Sequence, residues 1–236
     1  MYQITSYKHI DNHSSNTILF LHGWGCNLSY MLPLAKQIAK ANLLIIDLPG
    51  FGENKSFDSP KTLIDYADII LDFLKVNDFK VNFIVGHSFG GKLSIDLAKN
   101  LNVKGLVLLA PSIFNCRRGL GYYFKVIIYK IIKRIHFLNK LSQKFGSKDY
   151  KSLSPVMKKT MSNVINTSVE KNLIELKIPI FVIFGNKDKT TPKYLGKKIV
   201  KKAKDATLYI VDGDHFAYLY NVTIIAKIIE SMVTSC

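Results

Sequence analysis

A chain of 236 residues, 48% of them hydrophobic, suits one sizeable domain with its own core and leaves room for an insertion. Three cysteines, Cys26, Cys116 and Cys236, cannot all pair within one chain and show no C-x-x-C spacing, which argues against a disulfide framework and for a reducing cytoplasm. The net charge of +16 is the unusual number, and its distribution along the chain matters more than its size.

Met1 to Asp11 is polar and mixed, without the charged start, apolar core and small-residue cleavage site of a secretory leader, so no export is expected. Residues 2–9 offer an edge strand. Apolar, β-branched runs follow at Thr17–Leu21, Leu43–Asp47, Val81–Val85, Gly105–Leu109, Ile178–Phe184 and Thr207–Val211. Helical periodicity falls between them at Tyr30–Lys40, Thr62–Val76, Ser88–Asn100, Pro192–Lys202 and Val222–Met232. This alternation predicts an α/β fold, a mostly parallel sheet flanked by helices.

One long stretch, residues 111–177, interrupts the alternation before the last two strands. Its first half, Tyr122–Phe145, reads as a basic amphipathic helix or pair of helices, and a further helix is expected after Ser154-Pro155, with proline at the first helical position. The apolar run Leu120–Leu138 is broken by Lys125, Lys130, Lys133 and Arg134, so it fails as a membrane span of about twenty uncharged residues. Between residues 115 and 169 there are twelve Lys or Arg against one acid, Asp149, which places +11 of the +16 there. That segment is a candidate partner surface; the competing explanation is a solvated helical face rich in lysine.

Gly86-His87-Ser88-Phe89-Gly90-Gly91 sets a serine between glycines, directly after the run ending at Val85 and at the start of a helical segment. In a G-x-S-x-G elbow the serine occupies a tight strand-to-helix turn that only small neighbours tolerate, and its hydroxyl projects above the sheet edge. Gly86 to Lys92 also satisfies G-x-x-x-x-G-K, the phosphate-cradling loop of nucleotide hydrolases. That loop requires Ser or Thr next to hold magnesium, and this chain has Leu93, which has no oxygen to offer. None of the six histidines falls in a metal-ligand spacing, and no cofactor is expected.

In an open parallel sheet, ligands bind beyond the carboxyl ends of the strands. His22-Gly23-Trp24-Gly25, Asp47-Leu48-Pro49-Gly50-Phe51-Gly52, Ser88, Gly185 to Asp188 and Gly213-Asp214-His215 each follow a predicted strand. A serine hydroxyl needs a base, and imidazole, with an unperturbed pKa of about 6.5, is suited to that task. His215 is the candidate base and Asp188 the acid that orients it, in the chain order Ser, Asp, His. His87 is expected to point away from the hydroxyl, and His22 to be structural. Asp212 and Asp214 sit too close to His215 in sequence to orient it. The backbone amides of Trp24 and Phe89 are candidates for an oxyanion hole, and their side chains either wall an acyl pocket or simply pack in the core.

Leu21-His22-Gly23-Trp24-Gly25, Asp47 to Gly52, Gly86 to Gly91, Gly185 to Asp188 and Asp214-His215-Phe216 together resemble the α/β-hydrolase superfamily, over nearly the whole chain. The first two motifs resemble small bacterial carboxylesterases of the pimeloyl-acyl-carrier-protein methyl ester esterase type. Phe145 to Tyr150 and Ser154 to Met157 resemble the cap of little-characterised bacterial hydrolases. The resemblance implies a core of residues 1–110 and 178–236, a helical lid of residues 111–177, a triad of Ser88, Asp188 and His215, and an oxyanion hole of Trp24 and Phe89. It departs from the pattern at Asp214, where a small residue is usual, and in a shortened first hairpin.

The function expected is cleavage of a small or medium acyl ester through an acyl-enzyme in the cytoplasm. Serine at position 88 disfavours the dehalogenase and epoxide hydrolase branches, which carry aspartate there. Carbon–carbon hydrolysis, perhydrolysis and a non-enzymatic ligand-binding module on the same fold are the alternatives. The basic lid suggests docking of an acidic acyl-carrier protein or attachment to an anionic membrane surface. No nucleic acid is expected, since no binding module is recognisable.

Overall fold

The computed structural model describes residues 2–54, 56–114 and 153–236. Strands β1 (Tyr7–Ile10), β2 (Thr17–Leu21), β3 (Asn42–Ile46), β4 (Phe83–His87), β5 (Gly105–Leu109), β6 (Ile180–Gly185) and β7 (Ala206–Val211) form a seven-stranded sheet in the order β1-β3-β2-β4-β5-β6-β7. All neighbours are parallel except β1, which runs antiparallel to β3. Helices α1 (Leu32–Ala35), α2 (Leu63–Val76), α3 (Phe89–Asn100), α4 (Pro155–Asn166), α5 (Glu170–Glu175), α6 (Tyr194–Lys202), α7 (Ala217–Tyr220) and α8 (Val222–Ser235) complete the described elements.

The inner strands β2 to β6 are largely apolar and buried because helices cover both faces, whereas β1 and β7 at the edges are more exposed. Successive residues feed opposite cores. Leu19, Leu21, Leu44, Ile46, Ile84, Leu106 and Leu108 pack with Tyr66, Leu93 and Leu97 from α2 and α3. Ile18, Phe20, Leu43, Ile45, Phe83, Val85, Val107 and Leu109 pack with Ile225, Ile229 and Met232 from α8. Each such side chain, fully withdrawn from water, stabilises the fold by about 1.5–3 kcal/mol before entropy is counted.

Local signals fix the helix starts. Thr62 and Asp65 form a reciprocal capping box at α2, in which the Asp65 carboxylate accepts from the Thr62 amide at 2.6 Å. Ser154 caps α4 by accepting from the Met157 amide at 3.2 Å, with Pro155 in the first turn as expected. The helix expected over Tyr30–Lys40 is instead a 3₁₀ turn, Leu28–Tyr30, followed by the single turn of α1. Pro33 has no N–H to continue the preceding turn. Beyond α1, Asn12 Nδ2 donates to the carbonyls of Ile38 and Ala41, and the Glu230 carboxylate accepts from the backbone amides of Ala39 and Lys40. Distant side chains thus satisfy the backbone there, and no helical ladder is needed. The third predicted run, Val81–Val85, is displaced to Phe83–His87, because pairing with β5 continues to His87 opposite Leu109.

Of the predicted insertion, residues 111–114 and 153–177 fall within the described residues, the latter carrying α4 and α5. The basic helix expected over Tyr122–Phe145 lies outside them. Lys92 of α3 is buried and donates to the carbonyls of Val164 (2.7 Å) and Ile165 (3.3 Å) in the last turn of α4. Burial pushes its ammonium down to about 8. Asn172 of α5 donates to Asp96 of α3 at 2.8 Å. The helix that follows Ser88 therefore anchors this end of the insertion.

Candidate active site

Ser88 stands between β4 and α3 with φ 51° and ψ −107°, a conformation of the left-handed half of backbone space that costs a non-glycine residue about 1–3 kcal/mol. The strain is held by the surroundings: the Ser88 amide donates to the Leu109 carbonyl at 2.9 Å, and the Ser88 carbonyl accepts from Ser112 and Lys92. The flanking glycines are required by close approach. A Cβ on Gly86 would lie 2.5 Å from the Gly90 carbonyl oxygen, and one on Gly90 would lie 2.6 Å from that of His22. The serine-elbow geometry expected from the sequence is therefore present.

Asp188 and His215 come from the ends of β6 and β7 and meet directly, with Asp188 Oδ2 2.8 Å from His215 Nδ1. The carboxylate is fully committed. Its Oδ1 accepts from the amides of Thr190 and Thr191, both at 2.8 Å, and its Oδ2 also accepts from the Thr191 hydroxyl at 2.8 Å. Burial alone would raise the Asp188 pKa, but the bonds from His215 and from the Thr191 amide and hydroxyl outweigh it and hold the carboxyl below its ordinary range. An ionised Asp188 only accepts, so His215 Nδ1 carries the proton in this bond. The His215 side chain is 13% exposed, while that of Asp188 is fully buried.

Ser88 is tied to His215 through its neighbour. The His87 ring lies 4.8 Å from that of His215, and His87 Nε2 is 3.0 Å from the His215 carbonyl oxygen. His87 is buried, and its ring packs locally against His215, Phe216 and Tyr218. His22 is structural too: its Nδ1 lies 2.8 Å from the Gly23 carbonyl, and its Nε2 accepts from the Leu48 amide at 2.9 Å. Burial lowers its pKa to about 4, so it is a neutral strut between two loops. Asp47 organises the second of those loops, accepting from Ser6 Oγ and the Leu28 amide, each at 2.6 Å, and from the Glu53 amide at 3.1 Å.

Trp24 packs edge-on against Phe51 at 4.9 Å and Phe89 at 5.4 Å, and Phe89 continues to Tyr66 at 5.1 Å. This places an aromatic wall beside the elbow. Asp212 is exposed and pairs with Lys187 at 2.9 Å, and the Asp214 carboxylate accepts from the Phe216 amide at 2.9 Å, so both carboxylates have partners other than the imidazole. Thr191 was not singled out in the sequence. The signal was available, since an aspartate followed at two and three residues by threonines commonly folds its carboxylate back onto their amides.

A family model described as the alpha/beta hydrolase family matches residues 18–226. The chain belongs to the alpha/beta hydrolase family. Its sheet is that of the fold, and the serine, the acid and the histidine occupy three of its strand ends. The pimeloyl-[acyl-carrier protein] methyl ester esterase of Pseudoalteromonas atlantica is 35% identical over 103 residues, 42% of this chain and 38% of that protein. The chain thus spans well under half the length of that relative. A putative esterase/lipase 3 of Mycoplasma pneumoniae is 24% identical over 86% of this chain and 81% of its own length. Among solved structures, a lipase-esterase related protein from Clostridium acetobutylicum superposes with a TM-score of 0.73 at 26% identity, covering 96% of this chain and 98% of that one. No helix among the described residues is long and apolar enough to cross a membrane.

Proposed function

We propose that this hydrolase-family chain is a serine carboxylesterase acting on a small or medium acyl ester in the cytoplasm. Ser88 Oγ attacks the acyl carbonyl while His215 Nε2 takes its proton, and Asp188 stabilises the imidazolium that forms. The carbonyl oxygen becomes an oxyanion, received by the backbone amides of Trp24 and Phe89. Each such donor typically lowers the barrier by about 3 kcal/mol. His215 then returns the proton to the leaving alcohol, and water, activated in the same way, releases the acid from the acyl-enzyme.

The observation that carries this reading is the Asp188–His215 hydrogen bond of 2.8 Å beside a serine held at positive φ. The aromatic wall of Trp24 and Phe89 supports an apolar acyl group. Residues 111–177 serve as a lid on this reading. Its described end reaches the second strand-end loop: a Cβ on Gly50 would lie 3.5 Å from Met157 Sδ of α4. The basic stretch within the lid, together with the carrier-protein ester named for the Pseudoalteromonas relative, favours an acyl chain presented on an acidic carrier protein over an anionic membrane surface.

The test is a fluorophosphonate label and an ester panel of graded acyl length. Wild type should label and hydrolyse, with Ser88→Ala silent in both. A folded wild type that neither labels nor hydrolyses any ester of the panel overturns the reading.

A further inference from the structure

His87, next to Ser88 in the chain and buried against His215, is a titratable group to which the proposed mechanism gives no task. Its side chain is 1% exposed. Three rings surround it, His215 and Tyr218 at 4.8 Å and Phe216 at 5.1 Å between centroids. One polar contact orients it, Nε2 against the His215 carbonyl oxygen at 3.0 Å. A carbonyl only accepts, so Nε2 carries the proton. The other nitrogen, Nδ1, has no hydrogen-bond partner among the described residues and faces the Gly23 backbone, where a Cβ would lie 2.8 Å from it.

Burial, reinforced by the neighbouring His215, lowers the His87 pKa to about 3. The ring is therefore a neutral donor at any working pH. That is the right charge for the place, because an imidazolium forms on His215 during each turnover and a second cation 4.8 Å away would oppose it.

We propose that His87 is a positioning residue: by clamping the main-chain carbonyl of His215 it sets the approach of that imidazole to Ser88, its own neighbour in the chain. Asp188 holds the same imidazole by its side chain at Nδ1. Two grips, one on the backbone and one on the ring, fix His215 against the nucleophile. Gly23 belongs to the device, since its bare α-carbon admits the unpartnered face of the ring. The inference rests on the esterase reading.

The test compares wild type with His87→Phe, which keeps the ring and loses the donor, and with His87→Gln, which restores an N–H at similar reach. Expected for Phe is a kcat lowered about tenfold to a hundredfold with KM within about threefold, because the imidazole is misplaced while the acyl pocket is not. Gln should recover most of that loss at equal thermal stability. If Phe does not fold, Gln is compared with His87→Asn, whose shorter side chain cannot reach, and Asn should be the slower. A folded Phe variant with kcat within about twofold of wild type, or Gln falling as far as Phe or Asn, overturns the clamp. A wild type that neither labels with fluorophosphonate nor turns over overturns the esterase reading itself, so the two failures are distinct.

Discussion

Replacing Thr191 with valine tests the electrostatics of the candidate acid with little change in volume. The threonine is 4% exposed, and its hydroxyl donates to Asp188 Oδ2 at 2.8 Å and lies 3.2 Å from the Ala110 carbonyl. Valine removes one buried hydrogen bond to an ionised carboxylate, worth about 1.5–3 kcal/mol. It also sets a methyl group where the hydroxyl stood, against the carboxylate, so Asp188 must retreat slightly from His215. The sign with pH follows from the depressed Asp188 pKa: its contribution to stability is present above the unfolded carboxyl pKa of about 4 and lost as pH falls through the folded value. The variant's folded pKa is higher, so its deficit should be full at neutral pH and shrink in acid. Urea unfolding of wild type, Thr191→Val and Thr191→Ser across that range, with ester hydrolysis measured alongside, gives the answer. Serine should keep most of the stability. A valine variant within about 0.5 kcal/mol of wild type at pH 7, with an unchanged acid limb, would refute the reasoning.

Gly90→Ala should lower stability by about 3 kcal/mol or more in urea unfolding, because its Cβ would meet main-chain oxygens of β2 and its loop, which cannot swing aside. Asp47→Asn turns one carboxylate oxygen into a donor, set against either the Leu28 amide at Oδ1 or the Ser6 hydroxyl and Glu53 amide at Oδ2, at a cost of about 2–3 kcal/mol in the same assay. Cys26 is buried and its thiol is pushed up to about 11, so a thiol reagent at pH 8 should modify the exposed Cys236 promptly and Cys26 only as the protein unfolds.

Much of this was legible in the sequence because each signal was local. Unbroken apolar runs mark strands covered on both faces, and Gly86 and Gly90 are glycines for reasons of close contact that a motif records. The Asp188–His215 pair followed from chain order and strand ends. What escaped depends on residues far apart in the chain. The helix expected over Tyr30–Lys40 yields to Asn12 and Glu230, whose side chains satisfy backbone groups that periodicity assigns to a helix. The latch from Lys92 to α4 and the grip of His87 on His215 join segments more than seventy residues apart, and no spacing rule encodes either.

Ser88 is also the N-cap residue of α3, and it caps nothing. Serine at such a position ordinarily turns its oxygen back onto the helix and contributes about 1 kcal/mol. Here the side chain makes no such bond, and the backbone adopts angles suited to glycine. Ser88→Gly should therefore melt higher than wild type, by about 1–2 kcal/mol of relieved strain, while losing all turnover. On this account the fold would be sturdier without the proposed nucleophile, and a serine at the head of that helix serves reaction at the expense of stability.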